Sequence, residues 1–138
     1  MTQEYKKELI KEAIKARENA YAPYSHFMVG AVLVADDGTL YHGCNIENGA
    51  YSPSNCAERT AFFKAISEGK RSFLAIAIVG GEENSEPKEW NFCPPCGVCR
   101  QVMAEFCDED TFEIVLCEKD NVIKSYVLKE LLPLGFSL

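Results

Sequence analysis

Three cysteines and a glutamate stand at spacings that suit metal chemistry. In Pro95-Cys96-Gly97-Val98-Cys99 the two thiols sit at i and i+3, on one face of a first helical turn, where both reach one ion. A CxxC alone reads equally as a redox dithiol, as half of a structural zinc knuckle, or as part of a catalytic metal site. Cys56-Ala57-Glu58, about 40 residues earlier and also at the start of a predicted helix, breaks the tie by adding a third thiol. Three thiolates leave one corner of a tetrahedral zinc open for water, the arrangement of catalytic rather than structural sites. Two helix N-termini aimed at the ion favour ionised thiols through their free N–H groups and macrodipoles.

Glu58 follows Cys56 by two positions, roughly 200° around an ideal helix, so both meet one metal only if it lies off the helix end. That placement makes Glu58 a proton carrier beside the ion rather than a ligand, although a lone glutamate in a first helical turn is ordinarily a partner of the helix dipole. Three thiolates on a dication carry an excess negative charge, and a guanidinium from Arg59 donating to the sulfurs would offset it. Without the motif, Arg59 reads as a solvent-facing helix residue. Cys93 competes for the ligand role, but an extended Pro94-Pro95 spacer carries it roughly 9 Å along the backbone from Cys96. Cys44, Cys107 and Cys117 lie in apolar settings and read as reduced core thiols.

The elements that must hold these groups follow from periodicity. Residues 4–20 place Leu9, Ile10, Ala13 and Ile14 at helical spacing between Lys and Glu, an amphipathic helix that Pro23 is expected to end. Phe27 to Ala35 and Thr39 to Cys44 are extended patterns joined by Asp36-Asp37-Gly38, which predicts a hairpin. A polar loop covers 45–55, and a helix runs from Cys56 to about Glu68, stopped by Gly69. Phe73 to Val79 is uninterruptedly apolar, the mark of a strand buried on both faces. A long loop from Gly80 to Pro95 leads to a helix from Cys96 to about Phe106, then strands at 111–117 and 122–126 and a short helix at 127–132. The order α-β-β-α-β-α-β-β-α predicts an α/β fold, a mixed sheet with helices on both sides in three α-β-α layers.

With 138 residues the chain fits one domain spanning 1–138. The longest strongly apolar run falls far short of the roughly 20 residues that cross a bilayer, and no signal peptide opens the chain, so a cytoplasmic protein without membrane contact is expected. Seven cysteines, an odd number, suit metal ligands and reduced thiols better than a disulfide framework. A formal net charge of -7 offers no basic footprint for a polyphosphate backbone, which argues against nucleic acid as a partner.

Cys56-Ala57-Glu58 paired with Pro95-Cys96-x-x-Cys99 resembles the zinc nucleoside deaminases, whose first metal ligand is usually His. Cysteine at that position, with AYAPYSHFMVGA (20–31), GCNIENGAY (43–51), CAERTA (56–61), PCGVCRQ (95–101) and ELLP (130–133), resembles the small homotetrameric cytidine deaminases over nearly the whole chain. The resemblance implies a sheet of five strands and one zinc per chain on Cys56, Cys96 and Cys99. It also implies a homotetramer with shared active sites, and hydrolysis of cytidine and deoxycytidine in pyrimidine salvage. Glu58 would pass a proton to N3 of the base and then to the leaving amine. Asn45 and Glu47 would hold the ribose, Phe27 and Ala57 would lie against the base, and Tyr51 and Phe136 would come from neighbouring subunits. Deamination of another cytosine nucleoside such as blasticidin S, and a non-catalytic zinc-stabilised binding module, are the competing readings. One departure stands out: the stretch from Glu82 to Phe92 is longer than in compact members and carries Trp90 near the metal segment.

Overall fold

The computed structural model describes residues 1–119 and 121–138. Helix α1 (Gln3–Arg17) is followed by strands β1 (Phe27–Ala35) and β2 (Leu40–Cys44), helix α2 (Ala57–Ser67) and strand β3 (Phe73–Glu82). A 3-10 turn at Pro87–Glu89 precedes α3 (Gly97–Phe106), β4 (Glu113–Glu118), β5 (Val122–Val127) and the single-turn α4 (Leu128–Leu131). The five strands form one sheet in the order β2-β1-β3-β4-β5. β3 and β4 are parallel, joined by a crossover through α3, and the remaining neighbours are antiparallel, so the sheet is mixed as expected.

Alternation along the strands sorts the core into two layers. Ala31, Leu33, Ile76, Ile78, Ile114 and Leu116 face α2, α3 and Leu128, with Phe62 wedged against Phe73, Phe106 and Phe112. Val32, Val34, Ala75, Ala77, Val79, Val115 and Cys117 face Leu9, Ile10 and Ala13 of α1. β3 is therefore sealed on both sides, which explains its unbroken apolar run. No helix among the described residues is long and apolar enough to cross a membrane.

Two expected boundaries move, each for a tertiary reason. α1 ends at Arg17, six residues ahead of Pro23, because the chain beyond it is captured elsewhere: Tyr21 N–H donates to the Asn45 carbonyl at 2.9 Å and the Tyr21 carbonyl accepts from Glu47 N–H at 2.8 Å. β3 runs on to Glu82 instead of yielding to a loop at Gly80, because its last three residues pair with Val29, Met28 and Phe27 at the start of β1. The 45–55 loop is pinned at Ile46, which bridges both Tyr21 and Asn55.

Gly43 decides how closely α2 seats on the sheet. A side chain there would run into the Ala57 carbonyl and the Ala61 amide, so only glycine lets the N-terminus of α2 lie directly on β2.

Candidate metal centre and pocket

Cys56 and Cys96 are the N-caps of α2 and α3, both extended and neither capping its helix with the side chain. Cys99 follows in the first turn of α3 and is buried. Two helices entering from separate loops thus aim their free amide ends at one point. The three sulfurs lie within 4.8 Å of one another, with Cys56 Sγ 3.7 Å from Cys96 Sγ and Cys96 Sγ 3.5 Å from Cys99 Sγ. A tetrahedron with metal–sulfur bonds of about 2.3 Å has edges of about 3.8 Å, so the triangle already has the size of one zinc site's face. Cys93 is not part of it. Cys44, Cys56, Cys93, Cys96, Cys99 and Cys107 are in the thiol form.

Arg59, one turn into α2, donates through Nη2 to Cys56 Sγ at 3.3 Å. The Cys56 thiol is pushed down to about 5, first by the hydrogen bond from Cys99 and further by Arg59, against the cost of burial. Cys99 is pushed up in return, first by that same hydrogen bond. Arg59 Nε is buried without a hydrogen-bond partner among the described residues, so the corner beside the sulfurs has donor capacity to spare. A set of ionised sulfurs around a dication is what such a corner accommodates.

Glu58 is 4% exposed, and its carboxyl is pushed up to about 7, first by burial and then by the negative charge on Cys56. It lines a cavity of about 280 Å³ together with Cys56, Cys96, Ala57, Arg59, Asn45 and Glu47. Asn45 is locked by its own backbone contacts: Oδ1 accepts from Val29 N–H at 2.8 Å and Nδ2 donates to the Phe27 carbonyl at 2.8 Å. Glu47 Oε1 accepts from the amides of Tyr24 and Ser25 at 3.0 and 3.1 Å, and Oε2 accepts from the Ser25 hydroxyl. These donors, the Ser25 hydroxyl first, hold its carboxyl below the usual range, so it stays ionised. A carboxylate has about four acceptor positions, which leaves Glu47 one to offer into the cavity.

Phe27 stands at the rim, on the same face of β1 as the lining residue Val29 and beside Gly80 and Cys93. Tyr51 and Phe136 are not brought to this cavity within the chain. Tyr51 is 82% exposed on a turn with φ of 64°, and Phe136 lines a separate cavity with Ala104, Cys107, Leu128 and Leu132. Sequence reasoning missed Val29, Ser54, Asn55 and Pro94 as lining residues and left Cys93 without a place there. Val29 was legible as the partner of Phe27 at i+2 in a strand. Cys93 and Pro94 depend on how the loop folds back, which no local pattern encodes.

Residues 3–114 match the family of the cytidine and deoxycytidylate deaminase zinc-binding region. The chain belongs to that family. A cytidine deaminase of Sporosarcina psychrophila is 54% identical to it over 94% of this chain and 89% of its own length. One from Halalkalibacterium halodurans is 52% identical over 94% of this chain and 92% of its own. The crystal structure of the Burkholderia pseudomallei cytidine deaminase superposes with a TM-score of 0.84 at 46% identity, covering 99% of this chain and all of that one, 100%. The family region binds zinc, and the three-cysteine cluster is compatible with one ion per chain.

Proposed function

We propose that the chain hydrolyses cytidine and deoxycytidine to uridine and deoxyuridine with release of ammonia. The observation that carries this reading is Glu58, a buried carboxyl with its pKa near neutrality, facing a nucleoside-sized cavity beside three sulfurs that fit one zinc. Cys56, Cys96 and Cys99 would hold the zinc, which when bound would supply a Lewis acid able to bring the pKa of a water toward neutrality. Glu58 would take one proton from the water that adds at C4 and deliver it to N3, then take the proton of the new C4 hydroxyl and deliver it to the departing amine. A carboxyl near pKa 7 does both with little driving-force penalty. Ala57, with no bulk beyond Cβ, leaves room for the base against the start of α2, and Phe27 covers it from the rim.

Asn45 and Glu47 orient the sugar. The ionised Glu47 accepts a hydrogen bond from a sugar hydroxyl, and the same charge repels the 3'-phosphate of a polynucleotide, in line with a net charge of -7. The substrate is therefore a free nucleoside, in a single-domain cytoplasmic enzyme of pyrimidine salvage. The exposure of Tyr51 and Phe136 supports a homotetramer in which each completes the pocket of another subunit. Purified protein mixed with cytidine, deoxycytidine and blasticidin S, followed by loss of the cytosine absorbance, tests the reading. Turnover of the first two is expected. Turnover of blasticidin S alone, or of none of the three by zinc-loaded protein, overturns it.

A further inference from the structure

Arg17, the last residue of α1, lies on the face of the sheet opposite the pocket and is 5% exposed. Among the described residues its guanidinium is held by carbonyls and a ring, not by a carboxylate. Nε donates to the Met28 carbonyl at 3.0 Å, and Nη2 donates to the carbonyls of Gly81 at 2.9 Å and Glu82 at 2.7 Å. The Trp90 ring covers its outer side, with the guanidinium carbon 4.3 Å from the ring centre. Trp90 is itself buried and fixed: its indole N–H donates to the Ser85 hydroxyl at 2.8 Å and its carbonyl accepts from Lys119 N–H at 2.8 Å. Two glycines admit this stack. A side chain at Gly30 would strike the backbone of Ala13 and Arg17, and one at Gly81 would strike the indole.

Burying a guanidinium without an ion pair costs stability, and packing alone does not require one here. What the group grips is specific. The three carbonyls belong to the last rungs of the β1–β3 ladder, where Phe27, Met28 and Val29 pair with Glu82, Gly81 and Gly80. On the other face of the same rungs Val29 and Cys93 line the pocket, and Cys93 and the Phe27 ring crowd over Gly80 beside it. Strand ends fray unless something holds them. The metal ligands are held differently, by the N-termini of α2 and α3.

The geometry points to Arg17 and Trp90 as positioning residues for nucleoside binding: from behind the sheet they clamp the strand ends that carry Phe27, Val29 and the seat of Cys93. This rests on the proposed deaminase reading and assigns a task to the long 82–92 segment. Loosening the clamp splays the pocket rim while leaving the sulfur triangle and Glu58 in place, so substrate affinity falls and the chemical step does not.

The test is steady-state kinetics on zinc-loaded Arg17→Met, Trp90→Leu and Trp90→Phe proteins, with zinc content measured on the same samples. Arg17→Met and Trp90→Leu are expected to raise KM for cytidine by roughly 10- to 100-fold, the size of effect a displaced positioning group produces, with one zinc per chain and kcat within about threefold. Trp90→Phe keeps a ring face for the guanidinium and should restore a KM close to that of the unaltered protein. A purely structural role would lower melting temperature and active fraction at unchanged KM, and that result overturns the clamp. If Arg17→Met does not fold, the Trp90 pair decides alone. Unaltered protein that fails to deaminate cytidine overturns the activity itself, whereas active protein with unmoved KM in Trp90→Leu overturns only the clamp.

Discussion

At the scale of single residues, the site separates two carboxylates by environment. Glu58 is buried and pushed up to about 7, whereas half-buried Glu47 is held below the usual range by the Ser25 hydroxyl and neighbouring amides. Replacing Glu58 by Gln should preserve shape and zinc but remove the proposed proton carrier. The expected loss in kcat is at least the roughly 10²- to 10⁴-fold typical of general acid–base catalysis, read from cytosine absorbance with zinc content as the control. Glu47 yields a pH prediction with a defined sign. Its folded pKa is depressed, so its contribution to stability is present above the ordinary carboxylate range and is lost as pH falls through the lower folded value. The difference in melting temperature between the unaltered protein and Glu47→Gln should be full near pH 7 and close as pH drops below about 4. A difference that stays constant over that range would mean that the Tyr24–Ser25 contacts do not depend on charge.

Elements decide where those residues meet. The N-terminus of α2 brings Cys56 and Glu58 onto the sheet only because Gly43 has no side chain. Gly43→Ala should lift that helix end, destabilising by about 1–3 kcal/mol as overpacked contacts do, and should lower kcat more than it raises KM. Denaturant unfolding and kinetics on one preparation check both effects. α3 supplies two sulfurs, so Cys96→Ser should reduce zinc content and stability together, because metal binding is coupled to the fold of the site. Cys93→Ser should keep one zinc per chain. Its thiol sits over Gly80, outside the triangle of the other three sulfurs, and burial pushes it up to about 12. Zinc analysis of the two variants separates ligand from lining residue. The helical starts at Cys56 and Cys96 were legible because cysteine motifs and helix formers coincide there. The early end of α1 and the long β3 were not, because pairing partners far away in sequence override local propensity.

For the whole molecule, the question is what closes the pocket. Phe136 is 66% exposed, and its carbonyl accepts from Gln101 Nε2 at 3.3 Å, a tie between the tail and the helix that carries Cys96 and Cys99. Ending the chain at Leu132 should therefore weaken nucleoside binding by at least about tenfold, the range for losing a buried aromatic contact, while each chain keeps its zinc. Light scattering, zinc content and cytidine turnover on the same samples check this. Full activity in a zinc-loaded monomer, shortened or intact, would show that the pocket needs no second subunit.

The chemistry of this protein was written locally. Thiols at i and i+3, a third thiol with its glutamate, and alternating apolar strands each depend on a few neighbouring residues, so their spacing alone implied a metal centre on helix starts within a mixed sheet. Tertiary structure decided the rest, because the deciding contacts join distant parts of the chain. Asn45 is locked by the backbone of β1, 16 and 18 positions away, and Arg17 reaches carbonyls 64 and 65 residues downstream. Trp90, only six positions before Cys96, lies on the opposite side of the sheet from the metal centre, because β3 carries the chain through Glu82 before it turns back over α1. A side chain's nearness in sequence fixed neither the face it reached nor the partner it found. Those followed from which strand ends needed holding and where the sheet left room.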